Sequence, residues 1–430
     1  MGGMFEMLKN AWRIPDMRKK ILITICLLLV YRMGSFIPVP GLDPAEFEAL
    51  VETGGSLFGF IDIITGGAFK LATIFAMSIT PYINASIIMQ LLTVAIPKLE
   101  QLVKEGEEGR KIIAQWTRYG TVILGFLQAV GLYFGLGSSI VGGRSILSFV
   151  TITLSFTAGT AFLMWLGEQI TEYGIGNGIS LIIFAGIVSR GPSGALALYE
   201  NYRLGNLGEG IIGIIAIILI LVLFVAIIAA VVWVQQAERR IPVQYAKRVV
   251  GRKMYGGQST HIPIKVNLAG VMPIIFAMSI MMFPSTIIGF FGANSENKIV
   301  KFFINWPQKL SFAIVAALLV IFFTFFYTMI QFNPIEIANN LKKNGGFIPG
   351  IRPGKPTSDY ITKVLNRVTW FGAIFLAMIQ VLPSFLGYFT KIQGVWFAGS
   401  SVLILVNVAL ETIKEMESQM IMRHYKGFLE

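Results

Sequence analysis

Ten apolar stretches alternate with polar segments along the chain, near residues 21–37, 71–96, 119–137, 146–166, 176–190, 211–234, 268–291, 310–330, 368–390 and 395–410. Most are long enough to cross a hydrocarbon core of about 30 Å as helices rising about 1.5 Å per residue. A further apolar piece, Leu57 to Phe69, is too short; at that rise it reaches only about 20 Å. It runs into the second stretch, so it is expected to enter the membrane without crossing. Lipid cannot satisfy loose backbone groups, so such a stub belongs inside protein or beside a water-filled cavity. Gly54, Gly55, Gly66 and Gly67 supply hinges at both of its ends.

The pattern predicts an all-α polytopic membrane protein with ten spans plus a short re-entrant helix. Ten divides into five plus five, and each half has a proline inside its second span, Pro81 and Pro273. Two antiparallel halves would form an inverted repeat, whose interface commonly holds a transport path. Proline is common in membrane helices, so the pattern alone leaves the repeat open. The expected organisation is an interfacial helix at 1–20, an N-terminal half at 21–190, a C-terminal half at 191–412 and a tail at 413–430. In the first segment Met4, Leu8, Ala11 and Trp12 share a helical face, away from Lys9 and Arg13, and Pro15 is expected to end the helix.

Two polar loops stand out. In 235–266, alternating Ile241, Val243 and Tyr245, then Ile262, Ile264 and Val266, flank Gly251, Arg252 and Lys253, which reads as a basic β-hairpin projecting into the cytoplasm. The second, 333–366, contains GGFIPGIRPGKPT at 345–357, where glycine and proline prevent helix and a basic residue sits at the turn.

Composition agrees with the spans: 55% of residues are hydrophobic, 13% are charged, and mean hydropathy is +0.70. With the N-terminus inside, 26 of the 35 Lys and Arg fall in cytoplasmic segments and 8 outside, with Arg32 within the first span. The positive-inside rule therefore favours cytoplasmic termini. The loop from Gly167 to Gly178 breaks the trend, with Glu168 and Glu172 and no basic residue. Topology and anionic lipid at the inner leaflet account for most of the +12 net charge, without nucleic acid. The first apolar run follows Lys19 and Lys20 like a signal peptide, but no small-residue cleavage site follows, so it is read as a retained span. The single cysteine, Cys26, excludes an intramolecular disulfide.

No nucleotide loop, H-E-x-x-H motif or Cys/His cluster is encoded, so neither enzyme chemistry nor a cofactor or metal is expected. Gly174, Gly176 and Gly178 in YGIGNGIS read as a flexible loop, and His261 and His424 as solvated. Between their ends, the second to tenth spans carry no Asp, Glu, Lys or Arg, which argues against an ion-coupled carrier. The neutral polar residues Asn84, Ser86, Gln90, Gln128 and Gln380 are expected to bond helix to helix. Arg32 is placed to snorkel outward, and Asp62, within the stub, needs a partner or water; it fits a segment bordering water.

The runs FAMSITPYINASIIMQLLT at 75–93, KEGEEGRK at 104–111 and QWTRYGT at 115–121 closely resemble the SecY family, the central subunits of the bacterial protein-conducting channel. GTAFLMWLGEQITEYGIGNGIS at 159–180, AKRVVGRKMYGGQSTHIPIKVNLAGVMP at 246–273 and the 345–357 run look like that family's segments, in its order and spacing. The resemblance covers nearly the whole chain.

It implies two five-helix halves around an hourglass pore closed by an aliphatic ring and an external plug. By position the plug would take in Leu57, Phe58, Phe60, Ile61, Asp62, Ile63 and Ile64. The ring would be Ile79, Ile83, Ile179, Ile183, Ile275 and Ile404. A lateral gate to lipid would include Gln128, Asn267 and Phe283, while Arg252, Lys253 and Arg352 would dock the SecA ATPase or the ribosome. Implied partners are SecE-like and SecG-like membrane subunits, unfolded secretory and membrane polypeptides, and anionic lipids. The competing reading is a small-solute secondary transporter with inverted repeats, which uncharged spans and basic projecting loops disfavour.

Overall fold

The computed structural model describes residues 9, 11–53, 62, 65–135, 139–205, 210–245, 248–250, 253–255, 259–291, 306, 309–390 and 400–426. They fall into two compact units, Met1–Ile217 with Ser279–Phe312 and Leu386–Glu430, and Ile218–Met278 with Ala313–Phe385.

In the first unit, α1 (Pro15–Gly34) begins on the proline expected to end a preceding helix. Proline's fixed φ and missing N–H suit a first helical turn. Then come α2 (Pro44–Thr53), α3 (Thr80–Ala95), α4 (Pro97–Lys104), α5 (Glu107–Gly135), α6 (Ile146–Tyr173), α7 (Gly178–Ser189) and α8 (Gly191–Arg203). Between α3 and α4 the axis turns by 100°. Pro97 excludes helical geometry at Ile96, which is extended. Helix α5 packs against α3 and α6, and α1 against α6 and α7. Ser145 Oγ caps α6 by accepting from the Ser148 N–H at 3.1 Å, and Asn177 caps α7 through the Ser180 N–H at 3.0 Å.

Helix α9 (Ile211–Gln236) leads into the second unit, which holds β1 (Glu238–Tyr245), β2 (Arg248–Val250), β3 (Lys253–Tyr255), β4 (Ser259–Lys265), the start of α10 (Met272–Phe291) up to Met278, α11 (Leu310–Gln331) from Ala313 on, α12 (Pro334–Lys343), β5 (Gly346–Phe347) and α13 (Lys355–Thr390) up to Phe385; the remaining parts of α10, α11 and α13 belong to the first unit. Helix α14 (Ser400–Lys426) belongs to the first unit and packs on α7. Among the described residues, five helical segments are long and apolar enough to span a membrane: α6, Gly178–Arg203, α9, Leu310–Lys343 and Lys355–Leu382; counted as one span, the bent α3–α4 pair adds a sixth. The fifth apolar stretch thus continues past Arg190 through α8. Gln380 bonds helix to helix as expected, its Nε2 donating to Met278 Sδ at 3.0 Å.

The second apolar stretch is not one helix. Residues 65–79 form turns and a β-bridge, with Ala72 and Ser78 at φ +48° and +50°, and α3 starts only at Thr80. Main-chain bonds to the end of the first span replace helical ones: the Val39 N–H donates to the Ala72 carbonyl at 2.9 Å, and the Ile74 N–H to the Ile37 carbonyl at 3.0 Å. This run is walled by Val39, Phe47, Tyr133, Ile152 and Phe156, so its irregular backbone lies inside protein. Gly159 lets it pass α6, since a Cβ there would overlap the Ile74 carbonyl.

The YGIGNGIS segment is a packed turn rather than a flexible loop. The Ile175 N–H donates to Thr24 Oγ1 at 3.1 Å, and the Gly178 N–H to Thr171 Oγ1 at 2.9 Å. Ile175 is buried with Ala11, Met17 and Met416. Glu168 pairs with Arg118 of α5 at 2.7 Å, which balances the one acidic loop.

Candidate functional site

The aliphatic residues expected to meet at a constriction sit on four helices, apart from Ile79 just ahead of α3. Ile79 precedes α3 and is buried, and Ile83 follows one turn later, its N–H donating to the Ile79 carbonyl at 3.0 Å. Ile179 and Ile183 repeat that spacing within α7, so this second pair shares a helix face. Ile183 and Ile404 are buried, the latter on α14, while Ile83, Ile179 and Ile275 are half-buried. Close approach of α6 and α7 seats the Ile179 side chain: its Cδ1 lies 2.5 Å from where a Cβ on Gly167 would be. Five of the six belong to the first unit and Ile275, on α10, to the second.

Of the stub, Leu57, Phe58, Phe60, Ile61, Ile63 and Ile64 lie outside the described residues. Asp62 is described, and it does not border water: it is 2% exposed. Its carboxylate pairs with the Arg190 guanidinium, and its Oδ1 accepts the Lys70 N–H at 2.8 Å. Its main-chain carbonyl accepts the Gly67 N–H at 2.9 Å and the Thr65 hydroxyl at 3.1 Å, closing a tight turn. Arg32 does not merely snorkel, because it donates to the Gly66 carbonyl at 2.9 Å and lies 4.7 Å above the Phe36 ring. Arg190 was missed as a site residue, since in the sequence it is one more basic residue at the end of an apolar stretch.

The two polar loops meet in one β-structure. Strand β1 pairs antiparallel with β4, Ile241 opposite Ile262 and Val243 opposite Thr260, and β2 with β3 continues the hairpin. On the other edge of β1, Gln244 and Tyr245 pair with Phe347 and Gly346 of β5, from the second loop. Ile241, Val243, Ile264, Leu341, Ile348, Ile361 and Leu365 form the core beneath. The second loop is also less irregular than expected: residues 334–343 are helical, capped by Asn333, whose Oδ1 accepts the Ile335 and Glu336 N–H groups at 3.2 and 3.3 Å. Arg352 is exposed, and its carbonyl accepts the Thr357 hydroxyl at 2.8 Å. Lys253 is in β3, and Arg252 lies outside the described residues.

A family model described as SecY matches residues 73–413. A protein translocase subunit SecY from Halalkalibacterium halodurans is 48% identical over 99% of this chain and 100% of its own length. The chain belongs to the SecY family. Its Bacillus subtilis relative, also a protein translocase subunit SecY, is 45% identical over 99% of this chain and 100% of its own. A solved SecY, whose plug domain stabilises the closed state of its translocation channel and maintains a membrane seal, has the same fold at 20% identity, with a TM-score of 0.65 over 94% of this chain and 92% of that one.

SecY proteins are non-enzymatic channel subunits of the translocase, multi-pass in the bacterial cytoplasmic membrane, and the reading as a channel rather than a solute carrier holds for this member. Of the residues expected at the family's lateral gate, Gln128 is half-buried on α5. Asn267 is buried between β4 and α10, its Nδ2 donating to the Gly270 carbonyl at 3.0 Å. Phe283 is on α10, its side chain outside the described part.

Proposed function

We propose that this SecY-family chain is the pore-forming subunit through which unfolded secretory polypeptides leave the cytoplasm and from which apolar segments pass sideways into lipid. The observation that carries this reading is the largely buried, non-helical run from Thr65 to Ile79, which supports a re-entrant piece ahead of the short helix α3. A simple bundle of spans has no use for such backbone; a channel with a plug in its outer vestibule does.

In this reading α1, α3, α5, α6, α7 with α8, α9, α10, α11, α13 and α14 are ten spans in two inverted halves, with both termini cytoplasmic. The plug is residues 57–67. Ile79, Ile83, Ile179, Ile183, Ile275 and Ile404 ring the constriction, where aliphatic side chains resist wetting yet favour no peptide sequence. Gln128, Asn267 and Phe283 border the lateral gate, and lipid's preference for Leu and Ile over charge sorts what leaves by it. The chain carries no motor, so a SecA-like ATPase or the ribosome supplies force, docking on Arg252, Lys253 and Arg352. Phosphates of ribosomal RNA are suitable partners for those cations. SecE-like and SecG-like subunits complete the complex, and anionic lipid covers the remaining basic surface.

The test is purification under mild detergent followed by reconstitution into vesicles. The proposal expects small helical membrane subunits to co-purify, and ATP-driven uptake of an unfolded secretory precursor when a SecA-type motor is added. A chain that isolates alone and moves a small solute overturns it.

A further inference from the structure

The turn that follows the stub is held by charge at both flanks. On one side the last turns of α1 grip it: Arg32 donates to the Gly66 carbonyl at 2.9 Å and the Tyr31 hydroxyl to the Thr65 carbonyl at 3.2 Å. On the other side stands Arg190, at the break between α7 and α8, paired with the carboxylate of Asp62. The Arg190 side chain is 23% exposed and that of Asp62 only 3%. Gly66, at φ +67°, lies so close to α7 that a Cβ would sit 2.9 Å from the Gly186 backbone.

A buried ion pair is a weak source of stability, because desolvating two charges offsets most of their attraction, yet removing one partner leaves an uncompensated charge at high cost. Its better use is to define one arrangement against others. Here the pair fixes the seat of the re-entrant segment's C-terminal end between α1 and α7. When the segment leaves and water enters, both ions regain hydration, so the contact is firm in the dry state and cheap to open in the wet one.

We propose that Asp62 and Arg190 are a positioning pair that sets the balance between the seated and displaced states of the stub, and so the resting tightness of the channel and its selectivity for signal sequences. This inference rests on reading residues 57–67 as a plug.

The experiment uses the complete membrane complex in planar bilayers and cells exporting a precursor with a defective signal sequence. The variants are Asp62→Asn, which keeps the acceptor for the Lys70 N–H but removes the charge, Arg190→Gln, Arg190→Lys, the double variant that combines Asp62→Asn with Arg190→Gln, and a deletion of 57–67. Membrane levels of each variant are matched. Each charge-removing single variant is expected to raise resting ion conductance by about tenfold or more, because one desolvated charge is left unpaired. Export of the defective precursor rises with it. The double variant is expected to leak no more than either single one, and Arg190→Lys to stay close to wild type. Wild-type conductance in both singles, or effects that multiply in the double variant, would overturn the pairing while a leaky deletion kept the plug reading intact. A deletion that does not leak would overturn the plug reading itself.

Discussion

The Ile74 carbonyl passes Gly159 so closely that one methyl group on that glycine would overlap it. The backbone of residues 65–79 is thus wedged between α6 and the end of the first span, to which it also bonds through Ile37 and Val39. Backbone cannot give way as a flexible side chain does. Gly159→Ala is expected to destabilise the protein by about 1–3 kcal/mol, as overpacking does, whereas Gly67→Ala, with open space around it but φ +89°, acts only through local strain. Thermal unfolding in detergent, followed by fluorescence, distinguishes the two, and equal stability in Gly159→Ala and wild type would contradict the close approach.

Substituting Asn for Ile404 or Ile275 introduces a hydrogen-bonding group where the constriction is proposed. Water then enters more readily, so ion leakage rises and signal-sequence stringency falls. Single-channel recording and export of a defective precursor measure both, and unchanged values in the two variants would remove these residues from the ring.

The pairing of Gln244 with Phe347 ties the two polar loops into one body. Val243, fully buried in the core beneath them, is the point at which to loosen it. Val243→Asp buries an unpaired charge, which is expected to lower affinity for a SecA-type motor and for the ribosome together. Arg352→Glu, at an exposed residue, is expected to weaken one or both by several-fold and leave stability within about 0.5 kcal/mol. Sedimentation with each partner checks this. Full affinity in both variants would place docking elsewhere.

Gln380 donates to Met278 Sδ while its Oε1 lies buried with no hydrogen-bond partner among the described residues. Gln380→Leu is expected to leave stability within about 1 kcal/mol of wild type, since side-chain hydrogen bonds between membrane helices average about 0.6 kcal/mol. Thermal unfolding measures it. A larger loss would mean that the amide makes a stronger contact than this one.

The hairpin of the first loop was legible because the alternation of Ile241 and Val243 fixes which face is buried, and the spans were legible from apolar run length. The end of the helix before Thr80 was not: residues 71–79 are as apolar as any helix, and what unwinds them is pairing with residues 37–39, more than thirty positions away. The sheet joining the two loops escaped for the same reason, since β5 is two residues long and gains its partner only by folding. Asp62 announced itself as a charge in an apolar stub. Its partner did not, because Arg190 is distant in sequence and looks like any basic residue at the end of a span.

Passage of a translocating polypeptide through the proposed isoleucine constriction is open to crosslinking. A photoreactive residue at position 79, 83, 275 or 404 is combined with a secretory chain stalled in transit. Adducts are expected from these positions that depend on the stalled chain and disappear when it is released. No adduct at any of the four, with efficient crosslinking from a site elsewhere in the chain, would contradict it.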